Sequence, residues 1–381
     1  MGQQIEELAR FVATTKCDDI PEPVRRHAKL TLLDTLGVIL AGSERPELRQ
    51  LRERLAGTAG SGATVYARGW PMQDPRTAAL LNGIAGRSIE LCEGLRLVSG
   101  QAALQVLPGV LAVGEQAGSS GRDILSAFVL GYDVAGRLAS GFTPRPLAHQ
   151  NGQVSLLAAA AAGARLRGLD AAGVSRTMRI ATVLVLTPSY TNAVAGATAL
   201  NVAGGMSGYA AAIAPELAWA GFEAQPDAIE ESLGQLVGGG FNPDHVADEL
   251  GTSWQITRNY FRLYACCNPD PSGARLPRRG ARRIAPDTRP GRAHRGRDLP
   301  LCLGHAQPRP AELFRLEIFA AACRGGDGRA RRRRFRRTRR HGIAGPGDRG
   351  AARAGADQRG SGDERAGAKA APGAGHGDPE R

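Results

Sequence analysis

The amino-acid sequence predicts a mainly α-helical protein, and three observations within residues 1–267 support this class. Apolar residues recur at helical spacing through most of this stretch. Alternating β-branched runs are scarce, apart from Ala63–Tyr66. Several segments are rich in alanine, which lets helices approach closely. No unit of about 20–50 residues repeats, which argues against a solenoid. We therefore expect one large helical domain.

The first predicted helix has an apolar face at i, i+3, i+6 and i+7, formed by Ile5, Leu8, Phe11 and Val12. The second covers Arg25–Ala41, follows two prolines and is followed by Gly42, a residue that commonly ends helices. This second segment is apolar on nearly every side. Because helices of that kind are usually buried, we expect it to lie in the core.

Seven further helices are predicted from the same periodicity. They cover Pro75–Glu90, Gln105–Ala117, Arg122–Ser140, Val154–Arg167, Ala171–Leu186, Asn201–Ala220 and Asp227–Leu233. Asp123 places a negative charge in the first turn of its helix, where the helix dipole favours it. The sequence contains no Walker loop, HExxH, GxSxG or dinucleotide-binding fingerprint, so the pattern alone gives no activity.

Charge is distributed very unevenly along the chain. Residues 1–267 carry 22 Lys and Arg against 24 Asp and Glu, for a sum of −2, whereas residues 268–381 carry 27 against 12, for a sum of +15. The basic balance of the whole chain, +13, therefore comes only from the last 114 residues. This excludes a uniformly basic nucleic-acid-binding domain.

The C-terminal segment 268–381 has a composition that does not favour folding. It contains 26 Arg, one Lys and 19 Gly, and no Val, Tyr, Trp or Met, so it cannot bury enough apolar area to offset its chain entropy. Three interpretations remain open. The favoured one is a GC-rich gene translated in a shifted frame; the others are a disordered basic tail and a nucleic-acid-binding arm around Arg329–Arg340.

Targeting signals and cysteine patterns indicate an ordinary cytoplasmic protein. The N-terminus lacks a basic region followed by an apolar core, and the apolar stretch Val154–Ala162 is too short to span a bilayer. Six cysteines in a chain of 381 residues do not suggest a disulfide framework. Adjacent Cys266 and Cys267 lack the spacing of metal ligands, and no metal site is expected.

Several segments, in the same order, resemble the MmgE/PrpD family, which includes 2-methylcitrate dehydratase and cis-aconitate decarboxylase. They are VRRHAKLTLLDTLGVILAGS (Val24–Ser43), LLNGIAGRSIEL (Leu80–Leu91), VLPGVLAVGE (Val106–Glu115), GRDILSAFVLGYDVAGRL (Gly121–Leu138), RLRGLD (Arg165–Asp170) and NYFRLYACC (Asn259–Cys267). The resemblance covers residues ~5–267 and implies a large helical domain plus a smaller α+β domain near the C-terminus. Here that smaller domain is expected to be missing or disordered, although PAELFRLEIFAAA (Pro310–Ala322) looks like a distorted copy of one of its segments.

The resemblance also implies a homodimer without metal or organic cofactor that acts on a small di- or tricarboxylate. Its reactions remove or deliver a proton next to a carboxylate, which calls for a general acid or base and for cationic clamps. We expect a divergent lyase, either dehydratase or decarboxylase, or an isomerase, with weak or no activity. The alternative is a non-catalytic helical protein whose Arg-rich arm binds polyanions.

Part of the family's active site aligns with residues 82–94. Glu90 stands where the family has its key Asp, and Arg87 stands at the first His position. Cys92 and Glu93 replace an Asp-Asp pair, and Gly94 replaces a Thr that the resemblance places in the substrate-binding set.

The remaining candidates follow further along the chain. Gln101 stands where a second catalytic His is expected, and glutamine does not take up a proton. His149 matches the family's later active-site His and is the candidate acid or base. Thr198 and Asn201 match a Lys and a His of the substrate-binding set, so positive charge is lost there. Arg262 matches a Lys and can bind a carboxylate with two hydrogen bonds.

Overall fold

The computed structural model describes residues 2–55, 62–95, 100–262 and 265. All of them belong to one compact unit of the chain. The expectations for residues 268–381, including the absent small domain and the basic arm, lie outside the described residues. So does the cysteine pair at 266 and 267.

The described part of the chain is mainly α-helical, as predicted. Its helices are α1 (Gln3–Thr14), α2 (Glu22–Gly42), α3 (Pro46–Leu55), α4 (Pro75–Arg87), α5 (Ala102–Ala117), α6 (Gly121–Gly141), α7 (Val154–Leu166), α8 (Ala171–Ala181), α9 (Tyr190–Val194), α10 (Asn201–Trp219) and α11 (Ala228–Glu231). The nine predicted helices are all present. Helices α3 and α9 were not predicted, and the helix expected to reach Leu186 ends at Ala181 and continues as the 3-10 turn Thr182–Leu184.

Short polar side chains define where several helices begin. Asp74 caps α4 by accepting hydrogen bonds from the backbone N–H groups of Arg76 and Thr77. At α6, Ser120 and Asp123 cap each other's backbone N–H groups in a reciprocal capping box. These contacts satisfy N–H groups that have no partner within the helix, so the local sequence fixes the first residue of these two helices.

The core is formed by α5, α6, α7 and α10, which are rich in alanine and glycine. Residues 158–162 of α7 are five consecutive alanines and are completely buried. Next to them, a Cβ on Gly163 would lie 2.0 Å from the carbonyl oxygen of Ala211 in α10. The two helices therefore pack at a distance that only glycine permits at this position.

Helix α2 differs from its prediction, because one of its faces is open to solvent. Leu30 is 54%, Leu33 60% and Leu40 37% exposed. The opposite face packs against α4, α5 and α6 and includes buried Leu32 and Leu36. The prediction that this helix is buried is wrong, because the helix lies at the edge of the described body and only one of its faces has a neighbour.

Two small antiparallel sheets connect segments that are distant in sequence. Strand β2 (Phe142–Pro144) pairs with β3 (Gly238–Phe241). Strand β1 (Gly94–Leu95) pairs with β4 (Asn259–Tyr260), so that Gly94 lies opposite Tyr260. This second pairing brings the loop after α4 next to Arg262.

Membrane-spanning helices and metal-binding clusters are both absent from the described residues. No helix among them is long and apolar enough to cross a membrane. No group of three or more His, Cys, Asp and Glu side chains among them is arranged to hold a metal ion.

Candidate active site

An ion-pair cluster connects the end of α4 with the chain after β4. The Glu90 carboxylate contacts Nη1 of Arg87 through Oε1 and Nη1 of Arg262 through Oε2, the latter at 3.2 Å. Arg262 also donates from Nη1 to the carbonyl oxygen of Glu90 at 3.1 Å. Both arginine side chains are only 3% exposed, whereas the Glu90 side chain is 36% exposed. The carboxylate therefore covers two buried guanidinium groups from the open side.

Glu90 adopts a backbone conformation that is unusual for its residue type. Its φ angle is +53°, in the left-handed region where a Cβ is unfavourable and the cost is about 1–2 kcal/mol. The hydrogen bond from Arg262 to its carbonyl oxygen helps to hold this conformation. Such strain is common at functional sites, where the surrounding structure enforces it.

His149 lies within electrostatic reach of this cluster. Its pKa is lowered to about 4, first by burial and then by the positive charge of Arg87, while Glu90 acts in the opposite direction. Nδ1 accepts a hydrogen bond from the backbone N–H of Asn151 at 3.1 Å, and the ring stacks on Tyr190. The ring is therefore neutral at pH 7, and the bond at Nδ1 places its proton on Nε2.

Gln101 is connected to His149 through Asn151. It immediately precedes α5 and is buried, and its Oε1 accepts a hydrogen bond from Nδ2 of Asn151 at 3.3 Å. Further along α5, Oε1 of Gln105 accepts from the backbone N–H of Gly152 at 2.8 Å. The glutamines thus fix the loop that carries His149 against the start of α5.

Glu93 is a fully buried carboxyl group behind the cluster. Oε1 accepts from the backbone N–H of Ala103 at 2.7 Å, and Oε2 accepts from the Tyr132 hydroxyl at 2.8 Å. Burial raises the pKa of Glu93 to about 7, although both hydrogen bonds and the charge of Arg262 lower it. The thiol of the neighbouring Cys92 is also buried, which raises its pKa to about 12.

The three candidate substrate-binding residues lie in different surroundings. Gly94 is buried in strand β1, and a Cβ there would lie 2.6 Å from the hydroxyl oxygen of Tyr260. The threonine expected from the family would therefore not fit unless Tyr260 moved. Thr198 is exposed in a 3-10 turn, and Asn201 is the partly buried first residue of α10.

The start of α10 nevertheless lies close to the cluster. A Cβ on Gly204, one turn after Asn201, would lie 3.4 Å from Cβ of Arg87. Asn201 is thus on the turn that packs beside the buried arginine.

A cavity of about 390 Å³ adjoins the loop that carries His149. Leu95, Ala102, Phe142 and Val154 line it with apolar groups, while Gln105, Asn151 and Ser155 add polar ones. Asn151 is shared between the cavity wall and the hydrogen bond to His149, so the cavity adjoins the His149 loop, although His149, Arg87, Glu90 and Arg262 do not line it.

The sequence interpretation left three residues of this region out of its candidate set. Arg87 lies three residues before Glu90 at the end of a helix, where arginine is ordinarily exposed. Glu93 follows Cys92 and was noted only as part of a replaced acidic pair. Asn151 gave no sequence signal, because its role depends on a backbone N–H.

Comparisons with known proteins agree with this architecture. The family model for the MmgE/PrpD N-terminal domain matches residues 6–241. The cis-aconitate decarboxylase-like protein oryM of Aspergillus oryzae is 26% identical over 291 residues, which cover 70% of this chain and 59% of that protein. The cis-aconitate decarboxylase of Aspergillus terreus is 24% identical over 285 residues, or 68% of this chain and 56% of the relative. The chain thus spans somewhat more than half the length of these curated relatives. Because the family model covers more than half of the chain, the protein belongs to the MmgE/PrpD family.

Proposed function

We propose that the protein is a cofactor-independent lyase or isomerase that transfers a proton next to a carboxylate of a small organic acid. One observation carries this proposal. Glu90, His149 and Arg262 come from three distant segments, and Arg262 binds Glu90 while Glu90 acts electrostatically on His149. A carboxylate, an imidazole and a buried cation are the groups that such chemistry requires. The lyase class of the curated relatives supports the same assignment.

The geometry supports a different role for each residue. The neutral His149 ring carries its proton on Nε2, so it donates a hydrogen bond to the oxygen on which negative charge develops. Nδ1 is occupied by Asn151 and does not accept a proton. Glu90 is then the acid or base, and Arg262 holds negative charge near it. Gln101 positions the His149 loop through Asn151.

We further propose that the substrate differs from those of the best-known family members. Thr198 and Asn201 replace a Lys and a His, and Gly94 replaces a Thr, so the substrate-binding set has fewer positive charges than the family's. A substrate with fewer carboxylates needs fewer cationic partners. The homodimeric state is proposed from the family alone, and the cytoplasmic location is proposed from the targeting and cysteine patterns of the sequence.

We also propose that residues 268–381 stand in place of the family's small domain. Their composition, with 26 Arg and no Val, Tyr, Trp or Met, supports a shifted reading frame. Without that domain a site of this kind stays wetter, and electrostatic catalysis weakens in water, so low activity is expected. Translating the other two frames of the gene beyond codon 268 tests this idea, and it is wrong if neither frame restores small-domain sequence.

Deuterium exchange tests the proposed reaction directly. The full chain is incubated in D2O with succinate, methylsuccinate and malate, and loss of the C–H signals next to the carboxylates is followed by proton NMR. We expect exchange with at least one acid, reduced about 100-fold or more by His149→Ala or Glu90→Gln.

The control variant is Arg122→Gln, which removes an exposed charge that pairs with Asp18 away from the site. Exchange that is equally fast in His149→Ala and in the wild type would contradict the proposed role of His149. Rapid turnover of cis-aconitate or 2-methylcitrate would contradict the proposed change of substrate.

A further inference from the structure

We propose that the Arg87 guanidinium binds a carboxylate of the substrate. In the free protein the Glu90 carboxylate binds this guanidinium, and the substrate displaces it. The inference rests on the proposed function, since it names a ligand of the same site. It assigns a substrate-binding role to a side chain that stands where the family has a histidine. The ligand class is a small organic acid with at least one accessible carboxylate.

The first observation is that two buried arginines share one carboxylate. Arg87 and Arg262 are each 3% exposed, and both form an ion pair with Glu90. Buried guanidinium groups are expensive unless they are paired, and for Arg87 the shared Glu90 carboxylate is the one ion-pair partner among the described contacts.

The second observation is a buried donor on Arg87 itself. Its Nε–H has no hydrogen-bond partner among the described residues. Leaving a buried donor unsatisfied destabilises the folded protein, because the group loses its hydrogen bonds to water without a replacement. Glu90 contacts Arg87 through Nη1, so it uses only part of the donor set of this guanidinium. A guanidinium binds a carboxylate best with two parallel hydrogen bonds, and the unsatisfied Nε–H shows that Arg87 has donor capacity beyond its contact with Glu90.

The third observation is that the two arginines are held differently. Arg262 bonds to the main-chain carbonyl oxygen of Glu90 as well as to its side chain. Arg87 contacts Glu90 only through the side-chain carboxylate in the described contacts, by way of Nη1 and Oε1. Exchange of the carboxylate on Arg87 therefore leaves the bond from Arg262 to the Glu90 backbone in place. The 36% exposure of Glu90 gives a ligand access to this position.

Displacement would also prepare the site for chemistry. A ligand carboxylate on Arg87 lies within electrostatic reach of His149, which senses the charge of Arg87. Oε1 of Glu90 leaves its guanidinium partner at the same time and becomes available to a proton next to the bound carboxylate. Binding and activation of Glu90 are then one event.

Titration calorimetry on the full chain tests the displacement of Glu90 by a ligand carboxylate, with succinate and tricarballylate as probes. Arg87→Gln is expected to weaken binding about 10- to 100-fold, the loss of a charge-assisted hydrogen-bond pair. Glu90→Gln is expected to tighten binding several-fold, because it removes the internal competitor but keeps the shape of the side chain. Arg87→Lys, which keeps the charge but not the fork of donors, is expected to lie between wild type and Arg87→Gln. Arg122→Gln controls for net charge.

The sign of the Glu90→Gln effect separates this proposal from a structural ion pair. If Glu90 only stabilises the loop, its replacement leaves binding unchanged or weakens it, and either result overturns the proposal. Absence of measurable binding of both probes to the wild type at millimolar concentration also overturns it. These measurements on the wild type and on Glu90→Gln do not depend on whether the Arg87 variants fold.

Binding and turnover are measured separately, so the two proposals fail in different ways. Tighter binding to Glu90→Gln without deuterium exchange in the wild type would refute the proposed reaction and leave the carboxylate site standing. Deuterium exchange in the wild type without tighter binding to Glu90→Gln would support the proposed reaction and refute the carboxylate site on Arg87.

Discussion

Replacing Glu93 with glutamine tests whether a buried carboxyl group in this fold is protonated near neutral pH. The side chain is completely buried, and burial raises its pKa from 4.5 to about 7. The folded protein therefore keeps the proton up to about pH 7, whereas the unfolded chain releases it near its ordinary value. Stability is lost as the pH rises through this interval and is fully retained below it. At about 1.4 kcal/mol per pH unit, the loss amounts to about 3 kcal/mol.

The glutamine side chain has the shape of the protonated carboxyl group and can contact the same two partners. Its carbonyl oxygen accepts from the backbone N–H of Ala103 as Glu93 does. Its amide faces Tyr132, whose hydroxyl donates to Glu93 in the native protein, and there the direction of the hydrogen bond is reversed. Glu93→Gln is thus expected to be nearly neutral at about pH 4.5 and to stabilise the protein by up to about 3 kcal/mol at about pH 8. The assay is urea unfolding of both proteins across this range, because the difference between them removes the contributions of other titrating groups.

Glu115 offers a matched control at a half-buried position. Its carboxylate accepts from the backbone N–H of Thr64 at 2.6 Å and from the Tyr66 hydroxyl at 2.9 Å, the same two kinds of partner. Glu115→Gln makes the identical change there. The reasoning is refuted if Glu93→Gln is destabilised equally at both ends of the pH range, or if both variants respond alike.

Three further predictions concern packing and charge. Gly42→Ala is expected to lower the free energy of unfolding by about 1–3 kcal/mol, because a Cβ there would lie 2.0 Å from the carbonyl oxygen of Ala85. Gly37→Ala on the same helix meets nothing within 4 Å and should raise the free energy of unfolding by about 0.5–1 kcal/mol. Urea unfolding would contradict this prediction if both changes had the same sign. Arg137→Met is expected to lower stability by about 3–5 kcal/mol, measured by thermal unfolding, since the buried side chain pairs with a buried aspartate and donates to four backbone carbonyls. The pKa of His149 falls from 6.5 to about 4 on folding. As the pH drops through that interval, the free energy of unfolding of the wild type should fall by up to about 3 kcal/mol relative to that of His149→Gln. A difference in unfolding free energy that does not change with pH would contradict a buried, neutral His149.

The sequence predicted the long helices well because their apolar spacing and capping residues are local properties. It did not predict β1 or β4, since each has only two residues and exists because the other segment lies beside it. The exposure of Leu30 and Leu33 was missed for a related reason. An apolar helix is compatible with a core position or with an edge position, and only its neighbours decide which.

The candidate site was predictable where the family resemblance fixed a position, as for Glu90 and Arg262. Their contact, however, depends on the pairing of β1 with β4. The burial of Arg87 had no sequence signal, because it depends on how closely α10 packs beside it at Gly204. Side-chain identity can be read from the sequence, but the local charge around it depends on long-range packing.

The same packing decides which carboxyl group of the site can exchange a proton with a substrate. Burial raises the pKa of Glu93 to about 7, and on that criterion alone Glu93 would be the acid or base. Both of its oxygens, however, are bonded inside the core to Ala103 and Tyr132, and its side chain is completely buried. Proton transfer requires hydrogen-bond reach to the reacting atom, and Glu93 lacks it. The Glu90 side chain is 36% exposed, so the proposed function gives the acid or base role to Glu90 because of its accessibility.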